Sequence, residues 1–282
     1  MLAGATCFGA MGAFLKYALV HVPVFEAMFF RAIVSVLILG TVVFVKGLPK
    51  LGRNRRFLII RSVVGWSAML CAFYALSKIP LADAAVLHHT SPLFVALFGA
   101  LFLGERLSKR LFVIMAIALV GVLLVYQPGA RSLSYAGLIS LLSGALAALA
   151  YVTVRHLHQT DSTWVIAFHM ATTTALLSLP FMVFDFVVPT YGEWLALFAA
   201  GLCGTGGQIF LTQAYAYDQA ARIAPFSYAA VLWAAFFGIV IWDEVPNRFA
   251  VVGMLLIIAC GVAIARLRFP AERTLPSEVT GP

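Results

Sequence analysis

The chain has 282 residues, 63% of them hydrophobic and only 11% charged, with a mean hydropathy of +1.00. Soluble domains carry about a quarter charged residues, so this composition excludes a soluble globular enzyme and points to an integral membrane protein. The formal net charge of +8 would fit nucleic acid in a soluble chain. Here the basic residues gather between apolar runs, where they report topology instead, and no nucleic-acid partner is expected.

A membrane span needs about 20 mostly apolar residues. Runs of that kind lie at 2–20, 27–45, 58–77, 82–103 and 111–126, then at 136–154, 164–184, 194–215, 223–242 and 249–265. Backbone groups in lipid must be hydrogen-bonded within their own segment, so the fold class expected is all-α, with ten transmembrane helices. No cleavable signal peptide is apparent, and the first run reads as the first span. Residues 267–282 are polar and proline-containing and read as a flexible cytoplasmic tail. Cys7, Cys71, Cys203 and Cys260 all fall inside apolar runs without metal-ligand spacing and read as buried thiols.

The ten runs divide into two units, 1–126 and 136–266. At a fixed offset of 139 residues, Ala75 falls on Ala214, Leu93 on Leu232, Gly99 on Gly238 and Glu105 on Glu244. A glutamate recurring at a matched helix end is the least trivial of these matches, and the chain reads as two copies of one unit.

Charge sets the orientation. The loops after the second, fourth, sixth and eighth spans, with the tail, hold thirteen Lys and Arg residues: Lys46, Lys50, Arg53, Arg55, Arg56, Arg106, Lys109, Arg110, Arg155, Arg222, Arg266, Arg268 and Arg273. The opposite side holds three, Lys78, Arg131 and Arg248. The positive-inside rule then puts both termini in the cytoplasm. Five helices per unit make the second copy inverted, a plan common among secondary transporters, whose shared site lies at the repeat interface around a central cavity.

The stretch SPLFVALFGALFLGERLS, Ser91 to Ser108, followed by a helix with a late glycine, Gly121, resembles the EamA-type family of the drug/metabolite transporter superfamily. Glu244 and Gly261 keep the pattern in the second copy, whereas Val231 stands where the first has Pro92. Lys16 and Arg31 also resemble the family's opening pair of helices. The resemblance covers nearly the whole chain. It implies ten helices around a cavity and movement of small metabolites across a bacterial inner membrane. YddG-type amino-acid exporters are one comparison. Nucleotide-like solutes, S-adenosylmethionine, sugar derivatives and drugs are alternatives. With no ATP site, the driving force would be uniport, exchange or proton coupling, in a monomer or homodimer and without a cofactor.

Polar or aromatic groups at mid-depth need a reason in lipid, and Trp66, His88, His89, Gln208, Tyr228 and Trp233 are the substrate-binding candidates. The adjacent imidazoles of His88 and His89 could bind a carboxylate or carry a proton, or form a hydrogen-bonded pair near the outer interface. Trp233 could offer an aromatic wall or simply pack. Gly201, Gly204, Gly206 and Gly207 either admit a neighbouring helix or loosen the eighth span so that Gln208 faces a cavity. Pro92 at mid-span, with Gly99 and Gly238, reads as gating geometry. Glu105 and Glu244 read as fold-holding. Lys16, Arg31, Arg61 and Asp83 lie within about two turns of span ends, so snorkelling is open to them; Glu26 is a candidate partner for Arg31, and a structural role is expected for these charges.

Enzyme chemistry has little support. Gly99-Ala-Leu-Phe-Leu-Gly104-Glu105 lacks the lysine and hydroxyl of a phosphate loop, and no Gly-x-Ser-x-Gly stretch occurs. A membrane-embedded enzyme would need a paired acid and base at depth, and an ion channel a selectivity ring.

Overall fold

The computed structural model describes residues 1–50, 52–79, 87–104, 109–127, 134–242 and 247–266. These form helices α1 (Leu2–Ala18), α2 (Val24–Val45), α3 (Arg55–Lys78), α4 (Ser91–Leu103), α5 (Lys109–Tyr126), α6 (Tyr135–Leu157), α7 (Thr163–Phe184) and α8 (Tyr191–Tyr217). A short α9 (Ala220–Ile223) and a 3₁₀ segment (Ala224–Tyr228) then lead into α10 (Ala229–Trp242) and α11 (Arg248–Arg266). There is no strand among the described residues. Among the described residues, six segments are long and apolar enough to cross a membrane: α2, most of α3, α6, α7, α8 and Ala224–Ile241.

The exposed faces are apolar. Leu37, Phe102, Val113, Leu138 and Leu255 are each about half exposed or more, a surface suited to contact with lipid. Inside, helices meet through small residues, as they must where lipid is as apolar as leucine. α1 packs on α8 and α3 on α6; α2 packs on α7 and on α8; α5 packs on α11; α4 packs on α6 and α10 on α1. The largest core cluster gathers Leu58, Val95, Val154, Ile166, Leu211 and Tyr215 from five helices.

Local chemistry explains the boundaries. Ser134 accepts from the Gly137 amide and Ser162 from the Val165 amide, capping α6 and α7. At α8, Thr190 Oγ1 accepts from the Glu193 amide at 3.4 Å while Glu193 Oε2 accepts from the Thr190 amide at 2.7 Å, a reciprocal capping box. Gln127 ends α5 at φ 46°, the left-handed region usually left to glycine. Its side chain exchanges two hydrogen bonds with Asn247, at 2.8 and 3.1 Å, joining the end of α5 to the start of α11.

Two expectations are corrected here. Pro92 does not interrupt a continuous fourth span: α4 begins at Ser91 and holds Pro92 in its first turn, where the missing N–H is one the helix would leave unbonded anyway. The ninth span is not one helix either. Pro225 lies in the first turn of the 3₁₀ segment that separates α9 from α10, because a proline inside an α-helix removes a hydrogen bond and crowds the preceding turn. Gly99 is buried in α4, and Gly238 lies within α10. Glu105, Glu244 and Asp83 lie outside the described residues.

One loop contact carries a prediction. Asp161, only 5% exposed, accepts from the Arg53 amide at 2.5 Å and the Asn54 amide at 3.0 Å, tying the α2–α3 loop to the α6–α7 loop. Asp161→Ala leaves two amides without their acceptor, at a cost of about 2 kcal/mol, and the melting midpoint in detergent is expected to fall by several degrees.

Candidate functional site: a basic internal cavity

A cavity of about 660 Å³ lies inside the helix assembly, within the size range of small-molecule sites. Its wall draws on α1, α2, α3, α6, α7 and α8, on the start of α4 and on the segment Ser227–Phe237. Most of the lining is apolar, including Phe8, Ala68, Phe73 and Leu211. The polar groups include Lys16, Arg31, Arg61, His88, His89, Thr205 and Gln208.

The structure brings three sequence candidates together in this wall, His88, His89 and Gln208. The ring Nδ1 of His88 lies 2.9 Å from Ser143 Oγ, and Ser143 Oγ donates to the Ser140 carbonyl at 2.6 Å, so His88 is oriented from α6. His89 stands edge-on to His88 at 6.0 Å between ring centroids. Gln208 Nε2 is 3.4 Å from Thr212 Oγ1, one turn on in α8.

The other three candidates sit in helix contacts. Trp66 Nε1 donates to Ser178 Oγ at 3.2 Å, joining α3 to α7. Tyr228 is 1% exposed and packs with Ala118, Val122, Val231 and Ile257, its ring 6.5 Å from that of His89. Trp233 lies over Gly9: a Cβ built there would come within 2.5 Å of Trp233 Cβ.

The glycines of α8 have a packing role. A Cβ on Gly201 would lie 2.6 Å from Val34 Cβ, and one on Gly207 2.9 Å from the Phe8 ring. The helix runs unbroken through all four glycines.

Sequence reasoning missed the arginines. Arg61 does not snorkel: it is 1% exposed, and its Nε and Nη1 have no hydrogen-bond partner. Arg31 keeps some accessible surface and lines the cavity. Its Nη2 lies 2.9 Å from Met69 Sδ and its Nη1 3.8 Å from Met11 Sδ. Glu26 is not its partner; that carboxylate accepts from the Val187 amide at 3.0 Å. The available signal was a cation within an apolar span, which in lipid marks a functional site by default. Among the described residues no cluster of three His, Cys, Asp or Glu side chains could share a metal ion.

A protein helical throughout its described elements, apolar on its outer faces and built around a ligand-sized, cation-bearing cavity has the build of a membrane transporter. The sequence profile of the EamA-like transporter family matches residues 1–127 and again 134–266, and the chain belongs to that family. It is 35% identical over 263 residues to the pseudopaline exporter CntI of Pseudomonas aeruginosa, covering 93% of each chain. Identity to the S-adenosylmethionine uptake transporter of Rickettsia bellii is 26%, over 86% of this chain and 84% of that one. Human solute carrier family 35 member G1 is 28% identical over 75% of this chain and 62% of its own. A crystal structure 21% identical, over 94% of this chain and 96% of the other, superposes with a TM-score of 0.78 and shares the fold.

Proposed function

We propose that this protein is a secondary transporter that exports small, amino-acid-like metabolites across the inner membrane by alternating access, as a monomer or homodimer. The observation that carries the reading is the internal cavity with guanidinium and imidazole groups in its wall and helices of both halves around it. Export follows the direction of the 35% identical relative. Ten spans in two inverted repeats are supported by the two successive family matches and by the pattern of helix packing. Exchanging each span with its counterpart five later turns α1–α8 into α6–α3 and α4–α6 into the α10–α1 contact, and returns α2–α7 and α5–α11 to themselves. A two-fold in the membrane plane places the substrate between the halves, with small rigid-body movements exposing it to either side.

Labelled uptake and efflux in proteoliposomes, with an amino-acid panel and with or without a pH gradient, test the transport reading. The expected result is movement of unchanged solute; chemical conversion of the solute would support a membrane enzyme instead. Orientation is checked by placing single cysteines in the Lys46–Arg56 loop, with both termini expected in the cytoplasm. Labelling of that loop from outside intact cells contradicts the orientation.

A further inference from the structure

An arginine cannot discharge itself to suit its surroundings, because its guanidinium stays protonated under all ordinary conditions. Burying one without an anion is therefore costly, and the usual remedy is a carboxylate forked across its two nitrogens. Neither Arg31 nor Arg61 has that remedy. Among the described residues, the carboxylate contacts within ion-pair distance are made by His21 to Glu193 and Arg222 to Asp218. Arg31 meets two thioethers instead, which are weak acceptors. Arg61 has Tyr151 as its electrostatic neighbour, a neutral group.

Room is made for both cations. A Cβ on Gly204 would lie 2.9 Å from Arg31 Nη1, and one on Gly65 would lie 3.0 Å from Arg61 Nη1. Both arginines line the same cavity. Their spacing follows from α3: Arg61 folds over Gly65, while Arg31 reaches Met69, one turn further along. Both guanidinium groups therefore border the same stretch of α3. They are held from different helices, so they offer two anion points rather than one convergent nest.

We propose that Arg31 and Arg61 are the substrate-recognition groups of the cavity, and that the substrate class is a small metabolite with two carboxylates, one for each guanidinium. The inference rests on the transporter reading and narrows it. Substrate supplies the counter-ions that the fold withholds, so the empty cavity carries an electrostatic cost that binding removes. A monocarboxylate leaves one arginine uncompensated and binds less well. Guanidinium rather than ammonium suits the task, since its planar fork matches a carboxylate with two parallel hydrogen bonds.

The test uses the full chain purified in detergent. Binding is measured for aspartate, glutamate, 2-aminoadipate and diaminopimelate, with alanine, leucine and inorganic phosphate as comparisons. At least one dicarboxylate is expected to bind tenfold or more tightly than the monocarboxylates. Arg31→Gln and Arg61→Gln should each abolish that preference, while the ligand-free melting midpoint of Arg61→Gln stays level or rises, the reverse of what loss of a structural arginine does. Arg31→Lys and Arg61→Lys keep the charge without the fork and should retain part of the preference, which covers a Gln variant that does not fold. Equal binding of mono- and dicarboxylates, tighter binding of phosphate, or a wild-type preference in all four variants overturns the proposal. Transport of neutral amino acids with no dicarboxylate preference overturns it and leaves the transporter reading standing. Arginine-dependent dicarboxylate binding by a protein that moves no solute supports it and removes that reading.

Discussion

Gly253→Val is expected to leave little folded protein. Helices α5 and α11 meet backbone to backbone at Gly121 and Gly253. A Cβ on Gly121 would lie 2.8 Å from the Gly253 carbonyl oxygen, and one on Gly253 would overlap the Gly121 carbonyl oxygen. The same added atom would stand 2.9 Å from both Leu124 Cβ and Val125 Cγ2. A side chain can swing away from such an intrusion, but a helical carbonyl cannot without breaking its own hydrogen bond. The helices must therefore separate, losing close packing along the whole seam. Overpacking costs of ~3 kcal/mol are the lower end of what this geometry implies. Gel filtration in detergent should show aggregated or low-yield Gly253→Val. Gly261→Ala, on the same helix with open space around it, should match the wild type or melt slightly higher, because alanine favours a helix over glycine by about 1 kcal/mol. Equal behaviour of the two variants would remove the seam as an explanation.

Gly9→Leu is expected to be nearly as damaging, for a different reason. The Cβ position at Gly9 lies 2.5 Å from Trp233 Cβ and 3.6 Å from the Ala230 carbonyl oxygen. Trp233 has little freedom to retreat, since Phe236 stands edge-on to it at 5.6 Å and Phe237 lies 6.2 Å away. Relief of such a clash in a packed wall requires displacement of the whole helix, and α1 carries Lys16 and Phe8 into the cavity. The melting midpoint should fall by about 5 °C, corresponding to a cost of ~3 kcal/mol. Gly12→Leu, one turn along in α1 with nothing within 4 Å of its Cβ position, should cost almost no stability. A Gly9→Leu protein that melts with the wild type would show that α1 and α10 do not press together there.

Much of the fold was legible because lipid leaves the chain few choices. Apolar runs near 20 residues long became helices, and α2, α6, α7 and α8 lie within about three residues of their expected ends. What hydropathy could not show was a break inside an apolar run. The polar residues His88 to Ser91 before Pro92, and Arg222 before Pro225, are too short an interruption to lower the hydropathy of the whole run, and backbone geometry reveals that one proline lies in the first turn of a helix and the other in a 3₁₀ turn. The site was legible in part. His88, His89 and Gln208 were visible as polar groups at depth, and the structure puts them in the cavity wall. Trp66 and Trp233 could not be placed, because an aromatic ring on an unknown helix face serves packing and binding equally well. The arginines were read by their distance from a span end, yet rotation decided the matter: Arg61 is turned inward and cannot reach the interface.

The Gln127–Asn247 pair has a consequence for how transport can be driven. Both partners are neutral carboxamides, and each donates to the other. Neither group titrates, and neither bears a formal charge for dissolved ions to screen. The clasp between the end of α5 and the start of α11 therefore holds equally well in acid or alkali and in fresh or briny medium. A proton gradient cannot unfasten it. Sensitivity to acidity or ionic strength resides in charged contacts elsewhere, the His21–Glu193 and Arg222–Asp218 pairs among them, with this corner indifferent to both.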